Sequence, residues 1–148
     1  MIKITELYNA VNAKLKSKYP YKRYGNEVSE GYDKPSFFVS LITKTISNES
    51  IFYKRFAYTV SITYFSDKTG ADKTVDNLRI IDEIQELFGY NLVIKEGVSI
   101  NLSDYDYEFT GSGADILQIS IETEFYDKVP VIDENDIAGQ ININNQKG

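Results

Sequence analysis

The sequence predicts an α+β domain: a mostly antiparallel or mixed β-sheet with two main helices packed on one face and a long projecting β-hairpin. Three observations carry that expectation. Apolar residues recur at helical spacing in two separate stretches, at the start of the chain and again near its middle. After each stretch the spacing changes to the period of two that marks strands. The chain has 148 residues, 42% hydrophobic and 26% charged, so it can enclose one core and carries too little charge for a disordered protein.

The first element is an amphipathic helix. Ile4, Leu7, Tyr8, Val11 and Leu15 follow the i, i+3, i+4, i+7 spacing, with Lys and Asn opposite. Thr5 or the residue before it caps the start, and Tyr19-Pro20 ends the helix, because proline disfavours helix in the residue before it. A short extended piece follows at Tyr21–Tyr24. Gly25-Asn26 and Gly31-Tyr32-Asp33-Lys34-Pro35 mark turns on either side of Glu27–Glu30.

Ser36–Thr45 is rich in β-branched and aromatic residues and reads as a strand. Phe52–Phe65 is the clearest signal of all. Phe52, Phe56, Tyr58, Val60, Ile62 and Tyr64 share one face, interrupted only by Lys54, while Arg55, Ala57, Thr59, Ser61 and Thr63 share the other. Such alternation predicts a half-exposed strand of roughly 45 Å, long for a domain of this size. Its ends are expected to project past the core, joined to Ser36–Thr45 through Ser47-Asn48-Glu49-Ser50.

Ser66-Asp67-Lys68-Thr69-Gly70 is a loop, followed by a helix from about Lys73 to Phe88. Leu78, Ile81, Ile84, Leu87 and Phe88 are its expected inner face, and Gly89 its stop. Three strands close the domain: Asn91–Lys95, Val98–Ser103 and Asp115–Asp127. Residues 1–127 thus form a single domain. The character then changes, with an acidic run at Asp133-Glu134-Asn135-Asp136 and an Asn/Gln-rich end punctuated by Val131, Ile132, Ile137, Ile141 and Ile143. Residues 128–148 read as an extension, either flexible or ordered on a partner subunit.

Composition restricts the chemistry. The chain has no cysteine and no histidine, which excludes disulfides, thiolate or imidazole zinc sites, cysteine nucleophiles and Ser-His-Asp triads. Sixteen basic against 22 acidic residues give a net charge of −6, the wrong sign for a protein that wraps nucleic acid. Residues 1–28 carry six basic groups against two acidic ones, a local +4, which leaves −10 for the remainder. A basic end and an acidic body suit head-to-tail contact between copies, though a lysine-rich solvated helix face gives the same pattern. No signal peptide and no membrane-length apolar run is visible, so a soluble cytoplasmic protein is expected. Two Asn-x-Ser matches, at Asn48 and Asn101, carry no weight without secretion.

Each candidate chemical site has a plainer explanation. Asp104, Asp106 and Glu108 begin like a calcium loop, but Phe109 and Asp115 stand where that loop needs Gly and Glu. Alternating polar and aromatic residues on an exposed strand accounts for them. Glu122 and Glu124 sit ~7 Å apart along one strand face, within the range of an acid–base pair, yet such spacing is also the ordinary outer face of a sheet. Gly111-Ser112-Gly113 lacks the third glycine of a dinucleotide loop and reads as a turn. The 12 Tyr and 8 Phe serve equally as sheet core or as interface. No catalytic, cofactor-binding or metal-ligating residue is assigned, and no cofactor is expected.

The order of segments is similar to a known family. An Ile-x-x-Leu helix ending near Tyr19-Pro20 is followed by Tyr24-Gly25-x-Glu27-Val28 and by Lys34-Pro35-Ser36-Phe37-Phe38-Val39. A strand ending Ile62-Thr63-Tyr64-Phe65 precedes a Leu/Ile-rich helix and a closing strand ending near Phe125-Tyr126. This resembles the small tail terminators of tailed phages and phage-tail-like R-type bacteriocins, especially the contractile kind of defective prophages, over residues 1–127. The resemblance implies a non-enzymatic collar protein: a ring, a hexamer in that family, that caps the tail tube and stops its polymerisation. The ring then joins the tube to a head–tail connector or closes a headless particle. Implied partners are further copies of the chain, the tube protein, sheath and connector proteins, and DNA as passing cargo, with no membrane. The implied location is the bacterial host cytoplasm during assembly, then the particle. Tyr53, Lys54 and Arg55 on the hairpin, with Tyr105 and Tyr107 in the late loop, are the candidate subunit or tube contacts. Another tube-associated or connector protein, a carboxylate-dependent hydrolase using Glu122 and Glu124, and a small-ligand binding domain remain as alternatives.

Overall fold

The computed structural model describes residues 2–25 and 31–128. Its elements are α1 (Ile4–Lys18), β1 (Lys22–Tyr24), β2 (Ser36–Asn48), β3 (Tyr53–Phe65), α2 (Gly70–Phe88), β4 (Asn91–Lys95), β5 (Val98–Thr110) and β6 (Ile116–Lys128). The strands form one six-stranded sheet in the order β1-β2-β3-β6-β5-β4. β1 runs parallel to β2 and every other pair is antiparallel. The expected fold class, two helices on a mixed sheet, is the one observed. The turn at Asn26, the stretch Glu27–Glu30 and residues 129–148 lie outside the described residues.

β3 is the centre of the sheet. It pairs with β2 from Ser36↔Phe65 to Asn48↔Lys54 and with β6 from Tyr53↔Lys128 to Tyr64↔Leu117. β6 therefore accompanies β3 to its very start, so among the described residues the β2–β3 hairpin is flanked by β6 rather than standing alone. Long neighbours on both sides also explain why the second face of β3 is less exposed than its alternation predicts. Thr59 and Ser61 are only 8% and 6% exposed. The Glu122 carboxylate accepts a hydrogen bond from Thr59 Oγ1 at 3.0 Å, and Gln118 Nε2 donates to Ser61 Oγ at 3.4 Å. Longer side chains from β6 thus lie over the small hydroxyls of β3.

Of the three register shifts in the sheet, one lies between Val93 and Lys95 in the short β4 and the other two are bulges that reset the alternation of long strands. In β5 the register slips between Ser103 and Tyr105, so Ile100 and Leu102 before the slip share a face with Tyr105 and Tyr107 after it. The inserted residue is Asp104. A period-two reading loses phase at such a point, which is why the strand continues to Thr110 rather than ending at Ser103 as expected. The second bulge, between Thr43 and Thr45 in β2, brings Ile46 opposite Phe56.

The helices fill the concave side. α1 touches both β2 and β4, which stand near opposite edges of the strand order, so the sheet curls around it. Leu7, Val11 and Leu15 of α1 meet Ile80, Ile84 and Phe88 of α2 and the inner rows Val60–Ile62 and Ile119–Ile121, all in one buried cluster. At ~25 cal/mol per Å² of apolar surface, this burial is the main stabilising term. The cap of α1 is Lys3, not Thr5 or the residue before it: the Glu6 carboxylate reaches back to accept the Lys3 backbone N–H at 2.8 Å.

α2 begins at Gly70, a turn earlier than expected; Ile81, Ile84, Leu87 and Phe88 of the predicted face do meet the core, but the buried face is rotated towards Asp76 and Ile80. Leu78 is exposed, whereas Asp76, Asn77 and Ile80 are buried. A polar cluster sets this rotation. Asp76 accepts hydrogen bonds from Tyr64 Oη at 2.7 Å and Ser66 Oγ at 2.5 Å, and its carboxylate pairs with Arg79 at 2.6 Å. Arg79 continues to Glu83 at 3.0 Å, and Glu83 accepts from Tyr19 Oη at 2.9 Å. The network ties α2 to the end of β3 and to the chain leaving α1. Burial alone raises the Asp76 carboxyl, but hydrogen bonds from Ser66, Tyr64 and Arg79, with the guanidinium charge, hold it below its ordinary value. Burial and the Asp76 acceptor push the Tyr64 hydroxyl upward.

Asp76→Ala is expected to destabilise the fold by about 2–4 kcal/mol in urea titrations. That is below the ~3–5 of a fully buried pair because Arg79 is partly solvated. A depressed carboxyl contributes stability above its unfolded pKa of ~4 and loses it as pH falls through the folded value. The wild-type chain should therefore weaken below pH ~4, and the variant should show a flatter profile there.

Candidate functional site

The strongest surface feature is at the end of the sheet where β2 turns into β3. Ser50 Oγ accepts the backbone N–H groups of Phe52 and Tyr53, each at 3.1 Å, which pins the turn. Two large apolar side chains are left outside it: Ile51 is 82% and Phe52 60% exposed. Ile46, Tyr53 and Tyr126 on the adjoining strand ends are exposed as well. The buried core stops at Phe56, which stacks on Phe125. Apolar residues clustered in this way, rather than scattered singly, mark contact sites.

Charge borders the patch. Arg55 lies between Glu124 at 3.2 Å and Glu49 at 3.9 Å. Three of the residues singled out from sequence, Tyr53, Lys54 and Arg55, thus come together beside this patch, with Tyr53 paired to Lys128 and Arg55 to Tyr126. Ile46, Ile51, Phe52 and Tyr126 were not singled out. Ile51-Phe52 next to a polar Asn48-Glu49-Ser50 turn was the available signal, but Phe52 reads as one more member of the alternating face.

Tyr105 and Tyr107 stand apart from this cluster. They are strand residues of β5 rather than loop residues, opposite Ile121 and Ile119 on the helix side of the sheet. Tyr105 Oη donates to the carbonyl of Gly89, the residue that ends α2. Burial pushes its hydroxyl up to about 12, helped by Tyr107 and Tyr90. The two rings cover the last turn of α2, a packing role that alternation past a bulge concealed.

The other candidates resolve as follows. Glu122 and Glu124 do lie on one face, but each has a cation: Lys44 at 3.0 Å from Glu122, and Arg55 at 3.2 Å from Glu124. Thr59 also holds Glu122. These carboxylates act as cross-strand ties. Gly111-Ser112-Gly113 is a turn, and the first turn of α2 does come near it across a cleft of about 350 Å³. Asp115 already binds Lys73 there at 3.1 Å, placing an anion of the protein where a ligand anion would sit. Asp104, Asp106 and Glu108 lie along exposed β5. Among the described residues, no three acidic side chains gather as a metal-binding group, and no helix is long and apolar enough to cross a membrane.

The sequence matches the family described as phage tail terminator protein over residues 6–136, so the match runs past the last strand. No curated protein matches it. One solved structure superposes with a TM-score of 0.52 at 15% identity, covering 90% of this chain and 100% of that one, a likeness of fold alone.

The Tyr105 hydroxyl gives a measurable consequence. Its raised value means the folded chain keeps the proton longer than the unfolded one, so its contribution is full below pH ~10 and is lost as pH rises towards 12. Tyr105→Phe should cost about 1 kcal/mol at neutral pH and show a shallower loss of stability between pH 10 and 12 in denaturant titrations.

Proposed function

The chain belongs to the phage tail terminator family and is in that sense a structural protein of the phage tail; from that premise we propose that it forms a ring that caps the tail tube and stops its polymerisation. The ring then joins the tube to the connector or closes a headless tail, in a contractile phage or an R-type bacteriocin-like particle. It assembles in the bacterial host cytoplasm and acts without catalysis. The observation that carries this reading is the family match over residues 6–136.

The geometry supports it in one respect above all. Ile51, Phe52 and Tyr53 form an apolar end to the strands, and an apolar strand end is suited to seat on another protein surface. We assign that end, with Lys54 and Arg55 at its border, to the tube contact, and residues 128–148 to an extension that orders on a neighbouring subunit. Sheath and connector proteins are then neighbours of the exposed ring surface, and DNA is only cargo.

Deleting the gene should give tails of uncontrolled length, and tails of normal length in electron micrographs would sink the proposal. A finer test uses Ile51→Asp with Phe52→Asp. Both side chains are solvent-exposed, so the melting temperature should stay within about 4 °C of the wild type. Capping of purified tubes, scored by negative-stain imaging, should fall at least ~10-fold.

A further inference from the structure

The two edges of the sheet carry steps of complementary outline. On one side, β1 covers β2 only along Ser36–Phe38, leaving Val39–Asn48 without a strand neighbour among the described residues. On the other, β4 covers β5 along Val98–Asn101, with Leu102 N–H reaching the Tyr90 carbonyl, and leaves Ser103–Thr110 open. The registers across the sheet put the steps at matching heights. Val39 is level with Ile62, Ile119 and Tyr107, and Leu41 with Val60, Ile121 and Tyr105. β1 therefore stands at the height of the stretch of β5 that β4 leaves open. β4 stands at the height of the stretch of β2 that β1 leaves open. Each projecting strand matches the recess of the opposite edge.

Charge and apolar exposure follow the same division. Asp104, Asp106 and Glu108 lie along the recess of β5 and hold no ion pair among the described residues. β1, which carries Lys22 and Arg23, is level with Glu108–Thr110, so Glu108 is the carboxylate it would meet. Among the described residues Lys22 pairs only with Asp33, both 65% exposed, and such a surface pair exchanges partners at little cost. Along the other contact, β2 exposes Ile42 and Ile46, and β4 with its preceding turn exposes Val93 and Tyr90.

We propose that these unlike edges are the contact between successive copies of this chain, β1 of one docking antiparallel on Ser103–Thr110 of the next while the next copy's β4 docks parallel on Val39–Asn48. The inference rests on the ring reading above. It makes the interface heterologous, the type that closes into a ring when the rotation allows. Backbone pairing supplies the adhesion and the Lys22-to-Glu108 contact sets the order.

The full chain has no cysteine, so cross-linking can be made specific. Chains carrying Ile46→Cys and Val93→Cys, assembled on tail tubes and treated with a short bis-maleimide, should give a ladder of linked multimers, and single-cysteine chains should not pass the dimer. Lys22→Glu should lower ring or cap formation at least ~10-fold with an unchanged melting curve, and adding Glu108→Lys should restore it. Rings that cap tubes yet give no ladder, or Lys22→Glu chains that assemble normally, would overturn the edge assignment and leave the terminator reading intact. Wild-type protein that fails to cap tubes at all would overturn both.

Discussion

The fold depends on the pairing of β3 along both of its edges. A strand from Tyr53 to Phe65 presents a long row of backbone donors and acceptors on each side, and leaving them unpaired in a core would cost more than any side-chain contact could return. β2 and β6 satisfy them from end to end. That requirement makes both neighbours equally long, buries hydroxyl side chains such as Thr59 and Ser61 on the outer face, and fixes the relative heights of every other strand. β1, β5 and β4 are then placed outward from this triplet.

Polar groups decide what the apolar pattern leaves open. α2 has apolar side chains on more than one face, and hydrophobic burial alone would accept several rotations. The Asp76 carboxylate, bonded to Tyr64, Ser66 and Arg79, selects one of them and leaves Leu78 and Val75 in solvent. The bulge at Asp104 plays a similar part in β5. It turns the aromatic half of that strand onto α2 while keeping the acidic residues outside. In both places a charged side chain governs where neighbouring apolar ones go.

On the proposed reading, the same sheet serves assembly in two directions. Its strand ends, at Ile51-Phe52-Tyr53, meet the tube along the axis. Its lateral edges meet neighbouring copies around the ring. The division is economical because a sheet has only these two kinds of unfinished boundary: open edges with free backbone groups, and ends where the core runs out. Helices α1 and α2 occupy the concave face and leave both boundaries clear.

The sequence alone determined the two helices, the strand identities, the α+β class and the family resemblance, since each rests on local periodicity or on short motifs such as Pro35-Ser36-Phe37-Phe38. It also brought Tyr53, Lys54 and Arg55 together, because near neighbours on one strand end stay near in space. Only the tertiary structure decided that Tyr105 and Tyr107 pack on α2, that β6 follows β3 to its start, and that Glu122 and Glu124 are tied to Lys44 and Arg55. It alone showed which way α2 faces and which stretches of β2 and β5 stay open. Periodicity records how often a residue returns to a face. Bulges, buried ion pairs and strand order depend on partners distant in the chain, and no local pattern encodes them.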